Sequence, residues 1–140
     1  MKLWAIPLLV LMCGVGAGCG KKEWPQPMAQ EEQVFVDTVD VRRYNGCLQL
    51  AVKLGGNLAN VEFFRVEIET DGCPTCPFRP TIVRQVYPFD RGVRREENSY
   101  LFSLCGLELP PSIRLRVGVD NTFATIPPAL SAVLTIPTHP

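Results

Sequence analysis

Four cysteines, Cys47, Cys73, Cys76 and Cys105, are the side chains of this 140-residue chain best suited to chemistry. Two of them stand in Cys73-Pro-Thr-Cys76, a spacing that lets two sulfurs point at one ion from a tight turn. Joined by Cys47 and Cys105, they would make a four-thiolate zinc site. A thiol-redox centre is the other active reading. It meets an objection, because a thioredoxin-type pair needs a following helix to activate the thiol, and here Pro77 and Pro80 follow. An even number of cysteines in an exported domain ordinarily forms disulfides, and that is the preferred reading.

Other candidates carry less chemistry. The sole histidine, His139, lies in a Pro-flanked tail, so the chain offers no His-dependent triad and no multi-His metal site. Glu67 and Glu69 are two apart, which puts both carboxylates on one face of a strand. An acid–base pair would look like that, but a solvated face is the simpler expectation. Asp90-Arg-Gly92 reads as a turn, and residues 94–97 (RREE) as a solvated loop whose charges pair among themselves. The segment 121–128 (NTFATIPP) reads as a loop carrying Phe123 and Ile126. These two either meet a partner or cap the core.

The elements that must position these residues are strands. Leu48, Leu50, Val52 and Leu54 alternate with Cys47, Gln49, Ala51 and Lys53. Phe64, Val66 and Ile68 alternate with Arg65, Glu67 and Glu69, and Ile113, Leu115, Val117 and Val119 alternate with Arg114, Arg116, Gly118 and Asp120. Period-two alternation predicts one buried and one wet face. Strands are expected over 34–42, 47–54, 61–70, 81–87, 100–105, 113–120 and 129–136, with Gly, Pro and Asn between them. No sustained helical period competes. The expected fold is all-β, a sandwich of about seven strands.

Residues 109–121 (LPPSIRLRVGVDN) resemble the E–F turn and F strand of fibronectin type III and related immunoglobulin-like domains, and Ser131 suits a Ser of that family's last strand. Residues 61–68 resemble its C strand, with Phe64 at the aromatic position, while Ile113 replaces the usual corner Tyr. The resemblance implies an immunoglobulin-like topology. In that topology Cys47 opens strand B, Cys105 ends the neighbouring antiparallel strand E, and Cys73 and Cys76 leave strand C. All four sulfurs then fall at one pole, with Cys47 paired to Cys105 and Cys73 to Cys76.

The N-terminus has its own logic. Lys2 precedes an apolar run over residues 3–12, and small residues lead to Cys19. A positive start, a short apolar core and a small-residue exit make a secretory signal, and the run is too short to span a bilayer. Gly16-Ala17-Gly18-Cys19 resembles the lipobox of bacterial lipoproteins, with Gly16 where Leu is usual. The resemblance implies removal of residues 1–18, with Cys13 among them, then diacylglycerol on Cys19 and acylation of the new N-terminus. Gly20, in place of the Asp that retains such proteins in the inner membrane, implies the outer membrane, facing the periplasm. Residues 19–32 are polar, contain Pro25 and Pro27, and read as a flexible tether with Trp24 suited to a membrane interface.

What remains is one domain over 33–137 and a tail over 138–140. Loss of Lys2 leaves thirteen basic side chains against fourteen acidic ones, so no basic face for nucleic acid is expected. The expected function is a membrane-anchored cell-envelope lipoprotein acting as a non-catalytic binding or structural module. It would have no cofactor beyond its lipid and an envelope protein as partner. The alternative is a four-cysteine zinc or thiol-redox envelope protein.

Overall fold

Alternation in the sequence becomes two faces in space. The computed structural model describes residues 30–71 and 73–137. Strand β1 (Val34–Tyr44) turns through Asn45-Gly46 into β2 (Cys47–Gly56), and both turn residues have positive φ, 50° and 75°. Asn-Gly tolerates that conformation, and such a two-residue turn matches the twist of its flanking strands. A 3₁₀ turn, Leu58–Asn60, then leads to β3 (Val61–Glu69). Strands β4 (Ile82–Val86), β5 (Arg94–Glu96), β6 (Ser99–Cys105), β7 (Ile113–Asn121), β8 (Ala129–Leu130) and β9 (Leu134–Ile136) follow.

The strands form two antiparallel sheets packed as a sandwich. One has the order β1-β2-β6-β5; the other runs β4-β3-β7-β8, with β9 also on β7. Their inner faces supply the core: Leu48, Leu50, Val52, Leu54, Tyr100 and Phe102 meet Phe64, Val66, Ile68, Ile113, Leu115, Val117 and Val119. The Phe64 ring centroid lies 5.0 Å from Tyr100 and 5.4 Å from Phe102, which joins the sheets through aromatic contact. Burying a side chain of this size typically contributes about 1.5–3 kcal/mol, so the alternating positions dominate folding.

Three expectations change. Nine strands are present among the described residues, not about seven. Residues 94–96 pair with β6 instead of forming a loop, although their side chains are exposed and Arg94 lies 3.7 Å from Glu96. The strand expected over 129–136 is split at Ser131, whose N–H donates to Val117 O and whose Oγ accepts from Val117 N–H. That side chain satisfies the amide a continuous strand would have paired.

The domain also begins earlier than residue 33. Gln30–Glu32 forms a 3₁₀ turn, and Glu32 is docked. Its carboxylate accepts from Asn57 Nδ2 at 3.2 Å and Asn60 Nδ2 at 2.6 Å, and its carbonyl from Asn60 at 3.1 Å and Asn121 at 3.0 Å. Polar composition predicts a tether as far as Glu32 because it contains little to bury; hydrogen bonds order Glu32 instead. Asn57, Asn60 and Asn121 mark one pole of the sandwich, where β2 ends, β3 begins and β7 ends. The opposite pole holds the start of β2, the ends of β3 and β6 and the start of β7.

Candidate functional site

The cysteines occupy that opposite pole. Cys47 and Cys105 face each other in the β2–β6 register, with Cα atoms 4.2 Å apart and sulfurs at 2.04 Å. Cys73 and Cys76 lie in the β3–β4 loop with sulfurs at 1.99 Å. The pairs sit on different sheets, each sulfur bonded to its neighbour. This is an arrangement of two staples, whereas a four-thiolate centre needs four free sulfurs around one point. Among the described residues no three His, Cys, Asp or Glu side chains are grouped to hold a metal ion.

Beneath the Cys73–Cys76 loop lies a charged ladder. Glu67 faces Arg116, and Glu69 faces Arg114, in the β3–β7 register. Both carboxylates are buried, Glu69 to 3% exposure, which corrects the expectation of a wet face. Arg116 donates to Glu67 Oε2 from Nε at 2.8 Å and Nη2 at 2.6 Å, and Arg65 Nε approaches Glu67 Oε1 at 3.3 Å. Arg114 engages Glu69 through Nε and Nη2, and its Nη1 donates to Cys76 O at 2.8 Å. Arg79 N–H donates to Glu69 Oε1 at 3.3 Å. Phe78 lies over both guanidiniums, with its ring centroid 5.8 Å from Arg114 and 5.0 Å from Arg116. The loop thus folds back over the outer face of its own sheet and shields the ion pairs. The legible signal was complementarity: Glu-x-Glu in one strand against Arg-x-Arg in another. This chemistry fixes a loop; every carboxylate oxygen of Glu69 is occupied by a donor, which leaves it poorly placed as a base.

The 121–128 loop divides. Ile126 is buried at 8% exposure and so does not face a partner, whereas Phe123 is 39% exposed. A turn separates them, with Ile126 N–H donating to Phe123 O at 2.9 Å. Nearby, Phe63, Tyr87 and Phe89 form a row of rings with centroids 5.8 and 5.6 Å apart.

The outer face of the other sheet carries an open groove of about 710 Å³. Gln49, Ala51, Leu101 and Ser103 floor it, and Arg42, Asp40, Arg91 and Arg94 border it. One of its walls is β5 with the turn before it, a segment whose sequence carries no strand alternation. Its floor mixes polar Gln49 and Ser103 with apolar Ala51 and Leu101, and guanidiniums of Arg42, Arg91 and Arg94 stand at its border. Cys19, Trp24 and His139 lie outside the described residues.

No protein-family model matches the chain, and no curated protein matches it. A solved structure of a DUF3823 family protein from Bacteroides ovatus is similar, with a TM-score of 0.55 and 14% identity. The likeness covers 76% of this chain and 56% of that one. At that identity it shows the fold alone.

Proposed function

We propose that this protein is a cell-envelope lipoprotein, lipidated on Cys19 after removal of residues 1–18, whose sandwich is a non-catalytic binding or structural module. Its sheets, lettered in chain order, are A-B-E-D and C′-C-F-G; that order supports an immunoglobulin-like domain of the fibronectin type III kind. Such a fold hosts many functions, so the functional weight falls on sites and anchoring.

The observation that carries the reading is the docking of Glu32. It fixes where the chain leaves the sandwich, at the pole opposite the cysteines. Cys19 precedes Gln30 by eleven residues, a span that reaches at most about 36–40 Å. A lipid on Cys19 would hold one pole toward the membrane and display the groove and the stapled pole beyond it. The lipid also supplies the membrane partner and needs no cofactor; outer-membrane placement follows from Gly20.

The test is the mass of the N-terminal peptide of protein taken from membranes, with fractionation of Cys19→Ser alongside. The expected peptide begins at Cys19, carries the lipid mass, and is lost with release into the soluble fraction in the variant. A mature N-terminus elsewhere without lipid refutes anchoring.

A further inference from the structure

We infer that the pole from which the tether leaves docks on the bilayer surface, inserting Phe89 and Phe123 at the boundary between headgroups and acyl chains. This deepens the lipid-anchored reading and rests on it.

Phe89 is 82% exposed, and its exposure is built in. Tyr87-Pro88-Phe89-Asp90 forms a turn in which Asp90 N–H donates to Tyr87 O at 3.0 Å. Asp90 Oδ2 accepts from Tyr87 N–H at 2.9 Å, and Pro88 restricts φ at the second position. The ring is held outward by a braced turn and meets Tyr87 at a 33° tilt, and Tyr87 meets half-buried Phe63 at 57°. Phe123 is oriented too, its N–H donating to Asn121 Oδ1 at 2.9 Å.

These rings belong to the tether pole. Asn121 donates to the Glu32 carbonyl, so Phe123 is two residues from a group that holds the arriving chain. Phe63 lies on β3 opposite Asp120, one position from Asn121, and Tyr87 leaves the end of β4 beside it. Phe35, exposed and lying over Gly55, flanks the same pole on the other sheet. An anchor on Cys19, eleven residues before Gln30 and so at most about 36–40 Å away, would keep this surface near the bilayer, where even weak insertion is favoured by high effective concentration.

Charge selects the lipid chemistry. The polar side chains here include Glu31, Glu62, Asp37 and Asp90, with Arg91, so no basic cluster addresses anionic headgroups. Contact is through rings, which sit well at the amphipathic interface. With more carboxylates than cations on this surface, contact should be best on zwitterionic lipid, where it is independent of salt, and weaker on anionic lipid at low salt.

The mature chain carries one Trp, Trp24, so a Trp24→Phe background is dark. Full-length lipidated protein, its lipid verified by mass, is placed in phosphatidylcholine vesicles with brominated acyl chains. Single reporters are Phe89→Trp, Phe123→Trp and, at the cysteine pole, the exposed Tyr44→Trp. Expected is a loss of about half the emission at positions 89 and 123, little at 44, and no change when salt is raised. Equal quenching at all three positions, or none at 89 and 123, overturns the inference while leaving the anchor intact. Shielding of 89 and 123 from a soluble quencher without quenching by lipid also overturns it, by placing protein on that surface. A chain without lipid refutes the anchored reading and this inference together.

Discussion

Replacing Arg114 with Met tests whether the ladder under the Cys73–Cys76 loop is a buried electrostatic lock. Arg114 and Glu69 side chains are 10% and 4% exposed, so solvent screening is small. Met keeps the length and removes the guanidinium. Glu69 is then left buried with only the Arg79 N–H at 3.3 Å, and Cys76 O loses its donor. Breaking one side of a buried pair costs about 3–5 kcal/mol, a large share of a typical total of about 5–15 kcal/mol. In urea, with disulfides intact, a loss of 3 kcal/mol would move the midpoint by about 1–3 M. Glu69→Leu removes the stranded charge. The double variant should therefore recover most of the loss, short of about 1 kcal/mol for the Cys76 carbonyl. The coupling energy from the cycle should be about 2–3 kcal/mol. If Arg114→Met costs under about 1 kcal/mol and the two changes add, the pair is screened like a surface bridge and the lock does not exist.

Removing Cys47 and Cys105 together opens a loop spanning 58 residues and should cost about 4 kcal/mol, against about 1.5 kcal/mol for removing Cys73 and Cys76. Urea midpoints of the two double variants decide this, and equal shifts would discard the chain-entropy ranking. Glu32→Ala takes the carboxylate from Asn57 and Asn60 and should cost about 1–3 kcal/mol, since Asn60 is buried. Amide exchange should quicken over residues 57–60 while β2 and β7 keep their protection; unchanged exchange there would mean that the docked segment carries no energy.

The core was legible because alternation is local. Leu48 to Leu54 and Ile113 to Val119 declare their buried face without knowledge of any partner, and all are buried. The Cys47–Cys105 juxtaposition was legible for a related reason, since a strand order and a face together specify which residues lie opposite. Burial of outward residues was not. Glu67 and Glu69 point away from the core as their period requires, yet are covered by a loop that returns from Thr70 onward. Nothing within β3 signals that cover. Residues 94–96 show no alternation because all three are exposed; β6 offers a free edge, and pairing with it suffices. Phe123 and Ile126 have the same character in sequence, and only the turn between them sends one inward. The groove depends on the same unrecognised wall at β5.

The distribution of restraints bears on what a tethered module can do. At the tether pole the fold is held by hydrogen bonds among Glu32, Asn57, Asn60 and Asn121. At the far pole Leu48, Ile68 and Ile113 are fully buried while Leu104, Leu107 and Leu109 are only partly so, and the β3–β4 loop carries three prolines and little apolar surface besides Phe78. Within that loop apolar burial is slight, and a disulfide and shielded ion pairs supply the difference. If the anchor lies at the first pole, the second is the part held farthest from the membrane, and it is also the part most heavily cross-linked. A surface ordered before it meets a partner loses less conformational entropy on binding. Under the proposed anchoring, a redox centre at the displayed end would have to break the bonds that hold that end in shape.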